Sequence, residues 1–422
     1  MTNDTRANPT RPCIVLISPH SSYRLGPYIK AAEKLNTHVI VASQGEHSLV
    51  SAAASGIHVD FKQSDVPQQI IASLHGQNIR AVIGTDDLTV EMAARVAQAL
   101  GLRHNDLIAS RYTQRKDLAR KCLASSPVKV PAFEKHTLTA LIENPTIGMA
   151  YPCVIKPLAL SGSRGVIRIN NTQGLLAACV RLQAMLMHAT MNDEERQYVL
   201  VEAYIPGYEY AFEGLLDNGH LQMLALFDKP DLMEGPYFEE TYYITPSRLD
   251  DHTQNKITLA VEQACEAYGL REGPVHAEVR IHDGQVWFME MASRTIGGQC
   301  AQLLKYATGL SLEEIVIQQA AGFGVKVNEA QNAAGVLMIP IKKHGLLRRV
   351  EGILEASKTE YIEDIEISIQ EGYELIPLPE GDSYLGFIFA RAPSAELAEK
   401  ALRKAYSMLT IVTLPLLHTT QI

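Results

Sequence analysis

The sequence predicts a mixed α/β and α+β chain: a lobe with a parallel sheet, then a two-part core, then a β-rich C-terminal lobe. Three observations carry this. Short apolar runs at 13–18 (CIVLIS), 38–43 (HVIVAS) and 81–87 (AVIGTDD) alternate with the helical patterns GPYIKAAEKLN and TVEMAARVAQALGL, as strands do in a parallel sheet covered on both faces. Beyond residue 150, strand patterns follow one another through turn-rich connections. From 333 to 392 the chain is again β-rich (GVLMIPIKK, EISIQEGYELIPLP, YLGFIFARA), and SAELAEKALRKAYSML closes it as a helix over 394–409.

The bulk properties bound the function. A chain of 422 residues is long enough for two or three domains with sizeable cores. A net charge of −9 argues against a general nucleic-acid or anionic-membrane binder, which needs a basic surface. The six cysteines are far apart and form no CxxC pair, which points to reduced thiols in a cytoplasmic protein. The first eleven residues are polar, so no signal peptide is expected, and no apolar run reaches membrane-spanning length.

Residues 1–110 read as an open Rossmann-like lobe without GxGxxG, so no dinucleotide is indicated. A helical linker (RYTQRKDLARKCLASS) follows within 111–135, and Pro127 and Pro131 start an extended segment. CVIKPL (153–158) is a strand, SGSRGV a Gly/Ser loop and IRI a strand, before a helix near 173–190. QYVLVEAYIPGYEYAFEGLLD reads as strand, connection, strand, and HLQMLALFD (220–228) continues the sheet. The segment 229–248, rich in Pro, Gly, Glu and Tyr, reads as a long loop, and 253–269 as an amphipathic helix. The domains are expected at 1–110, 111–325 and 326–422.

The most informative stretch is VHAEVRI, HDGQ, VWFMEMA, then SRTIGG. Asp283-Gly284 signals a hairpin. With that pair as turn centre Glu278 lies across from Met289; with one more loop residue it lies across from Glu290. Two neighbouring carboxylates repel unless a cation sits between them, and hard oxygen ligands suit Mg²⁺ that also binds substrate phosphates. Arg294 adds a cationic fork for an anion, and Gly297 and Gly298 let backbone approach it. Lys156 faces the loop Ser161-Gly162-Ser163-Arg164-Gly165, which suits either phosphate binding or an ordinary turn. Lys116, among Arg111, Arg115 and Arg120, reads on its own as a solvated basic face. Glu202 with the backbones of Ala203 and Ile205 offers a nucleobase its acceptor and donors, and Glu209 is placed for ribose; the competing reading is a connection with exposed acids.

In order, Lys116, Lys156 with SGSRGV, VEAYIPGYEY, HAEVR and MEMASRTIGG resemble the ATP-grasp carboxylate–amine ligases, over about residues 110–325. The resemblance implies ATP clamped between two subdomains, with Lys116 and Lys156 on its phosphates. It implies Glu202 and the following backbone through Tyr204 and Ile205 on adenine, Glu209 on ribose, Phe288 in the nucleotide site, and Glu278 and Glu290 on Mg²⁺ (or Mn²⁺). Many members have Asn where this chain has Ala292, which puts the number of metals in question. Within the family, MEMASRTIGG and the loop 228–247 look like the L-amino acid (dipeptide) ligases. That implies small-molecule substrates and a homodimer as a plausible state. Arg294 is then the catalytic anion holder. Glu240, with Glu239, either holds a substrate amino group or is loop charge, and His276 is either a substrate-site or a packed core residue. Two other readings stay open: a ligase of nucleotide or cofactor biosynthesis resembling glycinamide ribonucleotide synthetase or biotin carboxylase, and a non-catalytic ATP-binding module.

Overall fold

Four parallel strands open the chain: β1 (Cys13–Ser18), β2 (His38–Ser43), β3 (Ser55–His58) and β4 (Ile79–Gly84), in the order β3-β2-β1-β4. The computed structural model describes residues 12–416 except 21, 45–54, 188, 190 and 329; the polar first eleven residues lie outside that set. Every residue of β1 is buried, because helices cover both faces. α1 (Leu25–Lys34) packs on one side; α2 (Val66–Ser73) and α3 (Asp87–Ala99) pack on the other. β4 ends at Gly84 rather than 87, since Asp86 caps α3 and its N–H donates to Thr89 Oγ1 at 3.2 Å. β3 and α2 have weak patterns; β3 is a mostly exposed edge strand with one apolar side chain, Ile57. The loops after β1 and β4 lie at the carboxyl ends of the sheet and reach the main cleft.

The expected single linker helix is two short ones, α4 (Leu107–Tyr112) and α5 (Lys116–Leu123). The break has a local cause. The Lys116 N–H donates to Leu158 O at 2.9 Å instead of to a carbonyl one turn back, which ties the start of α5 to the next sheet. That sheet comprises β5 (Phe133–Thr137), β6 (Cys153–Pro157), β7 (Ile167–Ile169) and β8 (Tyr198–Ala203) in antiparallel order β5-β8-β6-β7. α6 (Leu138–Glu143), α7 (Thr172–Met187) and α8 (Asp193–Gln197) accompany it, and Leu175, Cys179, Leu182 and Leu186 of α7 supply its core.

The largest sheet has eight strands. β9 (Tyr208–Asp217), β10 (His220–Lys229), β11 (Tyr242–Thr245), β12 (Gly273–His282) and β13 (Gln285–Ala292) come first, with α9 (Asp251–Tyr268) packed on them. β11 corrects the reading of 229–248 as one long loop: the β-prone run YYIT is buried and pairs with both neighbours. α10 (Ala301–Thr308) and α11 (Leu312–Ala320) follow. Then come β14 (Ala333–Ile339), β15 (Gly345–Glu351), α12 (Ile353–Ser357), β16 (Ile362–Ile367), β17 (Glu374–Leu375), β18 (Gly386–Ala392), α13 (Ala395–Ser407) and β19 (Thr410–Leu414). β14, β18 and β16 extend the large sheet, whose order is β13-β12-β9-β10-β11-β14-β18-β16, while β17-β15-β19 form a small sheet of their own. The C-terminal segment is thus continuous with the core, joined through β11–β14 pairing. All six cysteines are free thiols, and no helix among the described residues is long and apolar enough to cross a membrane.

Candidate active site

A cavity of about 740 Å³ lies where the N-terminal loops, the four-stranded sheet and the large sheet meet. The β12–β13 hairpin builds its chemical wall. Asp283 (φ 50°) and Gly284 (φ 67°) form a two-residue turn with both residues left-handed, matching the twist of the strands. Pairing runs from His282↔Gln285 to Val279↔Phe288, then shifts by a bulge, so that Glu278 pairs with Glu290 and Met289 stands unopposed. The tight turn would have set Glu278 against Met289; the bulge brings the two acids face to face on one side of the sheet.

Each acid already has a lysine. Glu290 Oε1 accepts from Lys116 Nζ at 3.1 Å, and Lys116 also donates to Leu160 O at 2.7 Å. Glu278 Oε1 accepts from Lys229 Nζ at 2.9 Å; the same buried ammonium donates to Glu209 and Glu240, both at 2.7 Å. Oxygens of Glu209, Glu240 and Glu278 lie within 4.8 Å of one another. Burial pushes the Glu240 carboxyl up and crowding by Glu278 adds to this against the pull of Lys229, to about 7. Burial also works against ionised Glu278, but Lys229 and His276 outweigh it and hold that carboxyl well below the usual range. His276 stands 3.4 Å from buried Glu213 and 3.8 Å from Glu278; burial disfavours its charge, yet these acids raise it to about 9.

Most of the sequence-predicted residues converge. Lys116, Lys156, Ser161, Gly162 and Ser163 line the cavity, as do Glu202 through Ile205. So do Glu209, Glu240, His276, Glu278, Glu290 and Arg294 with Gly297 and Gly298. Three residues do not. Phe288 is 1% exposed and packs in the core under α9, because it pairs with Val279 on the face opposite Glu278, and the bulge at Met289 breaks the alternation that would have put it on the side of Glu290. Gly165 is a packing residue: its φ is +69°, and a Cβ there would lie 2.7 Å from Pro157 and 2.8 Å from Leu182. Arg164 is not itself a lining residue but stands 3.5 Å from Asp382, which is one. Of the acidic pair in the loop, Glu240 lines the cavity and Glu239 does not. Glu202 is more engaged than a free nucleobase acceptor: it is 2% exposed and paired at 2.7 Å with both Arg120 and Lys156. Burial opposes its charge, but these two cations hold it at about 2.

Several contributors lie outside the sequence-predicted set. Asp87, the first residue of α3, closes on Arg294 with two contacts of 2.9 Å. Tyr23 and Arg24, in the loop after β1, border the Gly297-Gly298 turn, and the Gly298 N–H donates to Tyr23 Oη at 3.0 Å. Gly298 has φ +59°, and a Cβ there would clash with Met338 Sδ. Lys229 had a usable signal: it continues the buried face of β10 (LALFDK), where an unpaired lysine is costly. Asp86-Asp87 had another, since acids at the carboxyl end of a parallel strand stand where ligands bind.

The donor set fits ATP with a divalent metal. Facing acids with only oxygen donors suit Mg²⁺, the cavity is large enough for a nucleotide, and two lysines reach the acids from different elements.

Comparison with known proteins gives the class. Residues 149–302 match the ATP-grasp domain family, and residues 337–413 match the L-amino acid ligase C-terminal domain 2. Over those segments the chain carries an ATP-grasp domain and an L-amino acid ligase C-terminal domain, which support an ATP-dependent ligase that forms a C–N bond. Within that class it is related to the L-amino acid ligases. Its fold is similar to that of an L-amino acid ligase from Bacillus licheniformis, with a TM-score of 0.82 at 23% identity over 97% of this chain and 100% of the other. In sequence it is 24% identical to an uncharacterized protein of Sinorhizobium fredii over 90% of this chain and 78% of that one. It is 23% identical to an alanine–anticapsin ligase of Bacillus subtilis over 61% of this chain, and that match spans 57% of the ligase.

Proposed function

We propose that the enzyme joins the carboxylate of one amino acid to the amine of a second, with ATP and Mg²⁺. The observation that carries this reading is the meeting of Glu278, Glu290, Lys116, Lys156 and Arg294 on one cavity, with Glu240 beside them. A carboxylate is a poor electrophile at neutral pH. Its oxygen attacks the γ-phosphorus, the bond to ADP breaks, and an acyl phosphate forms. The amine nitrogen of the second substrate then attacks the acyl carbon, the bond to phosphate breaks, and the nitrogen loses a proton. Phosphoryl transfer needs positioning and charge neutralisation above all.

Lys116 and Lys156 supply fixed positive charge to the phosphates. Glu278 and Glu290 would hold Mg²⁺, which would supply neutralisation of phosphate charge. Arg294, held in orientation by Asp87, binds the carboxylate and then the acyl phosphate. Glu240 takes the α-amino group of the substrate being activated, for which a carboxylate beside a cavity of this size is suited. Ala203, Tyr204 and Ile205 take the base along the edge of β8. We read residues 1–110 as the wall of the substrate site, 111–325 as the nucleotide clamp, and 326–422 as its extension. The test supplies amino acids pairwise with ATP and Mg²⁺, with mass detection of products and assay of phosphate release. Phosphate and an amide are expected together for at least one pair; no amide from any pair overturns the reading.

A further inference from the structure

In a dipeptide ligation the amine donor carries a carboxylate of its own, and that second anion needs a cation that the nucleotide wall does not have to spare. Lys116 and Lys229 already face Glu290 and Glu278, Lys156 faces Glu202, and Arg294 is closed on Asp87. Arg24 is different. It lies at the carboxyl end of β1, lines the cavity, and its side chain is 11% exposed. Its guanidinium stacks 4.8 Å from the Tyr23 ring centroid. Nη1 donates to Asp86 Oδ1 at 2.9 Å, its only side-chain hydrogen bond among the described residues, and Nε is buried with no partner. A guanidinium has about five N–H groups, so most of this fork is unused. Asp86 is itself shared, accepting from Thr85 Oγ1 at 2.6 Å. Nη2 lies 3.1 Å from where a Cβ on Gly297 would stand, which sets Arg24 beside the turn that follows Arg294.

We propose that Arg24 binds the carboxylate of the amine substrate and so restricts the second substrate to amino acids. The inference rests on the ligase reading above. The guanidinium is fixed by Tyr23 on its face and Asp86 on one edge, which leaves another edge for a carboxylate. An amine without a carboxylate leaves the outer N–H groups of Arg24 facing the cavity without an anionic partner. Sites built to bond a polar group reject analogues that lack it. The competing account is that Arg24 only ties the loop after β1 to the start of α3 through Asp86.

The experiment uses the full chain with ATP, Mg²⁺ and the twenty L-amino acids, to which an equimolar pool of their amides is added as rival amines. Products are read by mass. A parallel reaction supplies hydroxylamine, which attacks the acyl phosphate, expels phosphate and gives a hydroxamate without needing a carboxylate on the nucleophile. Wild type is expected to favour dipeptides over dipeptide amides by about 10–100-fold, the range for a charge-assisted pair. In Arg24→Ala that ratio falls toward one and dipeptide yield drops by a similar factor, while hydroxamate yield falls less than about threefold; Arg24→Lys recovers part of the ratio. An unchanged ratio in Arg24→Ala overturns the proposal, as does an equal loss of hydroxamate and dipeptide. If wild type forms neither dipeptide nor hydroxamate, the ligase reading fails and takes this role of Arg24 with it.

Discussion

On the hairpin wall of the cleft, Glu278 and Glu290 each have a lysine within 3.1 Å; on the N-terminal wall, Arg24 has one hydrogen bond and an unpartnered buried nitrogen. The two walls also differ in origin. Hairpin residues are close in sequence and are set opposite one another by a turn and a bulge. Tyr23, Arg24, Asp86 and Asp87 come from two loop tips that only the parallel order of β1 and β4 makes neighbours. The contrast separates two tasks. On the function proposed above, the wall for phosphates and metal is charge-balanced by internal ion pairs, whereas the substrate wall keeps outer guanidinium donors uncommitted.

The strongest way to break this contrast is to remove a paired acid. Glu290→Gln should lower amino-acid-dependent ADP release by on the order of 10²–10³-fold, as losses of fixed electrostatic groups do, with an unchanged circular dichroism spectrum. Near-wild-type turnover in that variant would take Glu290 out of the metal site.

Pre-pairing also has a pH signature. Glu202 sits at about 2 when folded, below the ordinary carboxylate value of 4.5, so its contribution is fully present above pH 4.5 and is lost as pH falls toward 2. A shift of this size corresponds to about 3 kcal/mol. Urea midpoints of wild type should therefore drop below pH 4.5. Glu202→Gln should start lower, because Arg120 and Lys156 lose their counter-charge, and fall less steeply. Parallel pH curves for the two proteins would contradict the pairing.

A third variant tests the seam between the walls. Asp87→Asn removes the charge that orients Arg294, and misplacement of a catalytic group by about an ångström can cost roughly 100-fold. kcat/KM for the amino acids should fall by about that factor while KM for ATP changes little. A loss confined to ATP affinity would place Arg294 on the nucleotide instead. The smallest expected effect lies away from the cavity lining. Arg181 of α7 pairs with Glu380 at an exposed position, and exposed pairs are worth up to about 1 kcal/mol. Arg181→Ala should raise KM for ATP by no more than about fivefold.

What could be read from the chain alone follows the same division. The hairpin acids, Lys156 with its Ser/Gly loop and Arg294 were legible because strand period, turn residues and adjacency are local properties. The pairing of Glu278 with Glu290 was one of two open registers, and the bulge at Met289 decided it. Phe288, Arg164 and Gly165 do not line the cavity, since membership of a motif does not say which way a side chain points. Lys229 and Asp87 were missed because their partners are long-range: Glu278 is 49 residues from Lys229, and Arg294 is 207 from Asp87. β11 was hidden by the Pro/Gly/Glu composition around YYIT, although the four residues themselves are β-prone.

The central claim is that this cleft couples γ-phosphoryl transfer to amide formation between two amino acids. Its most direct test is the stoichiometry of a single reaction with ATP, Mg²⁺ and mixed L-amino acids. ADP, phosphate and amide should appear in equal amounts in wild type. AMP with pyrophosphate, or ADP released with no amide at any amino-acid pairing, would contradict it.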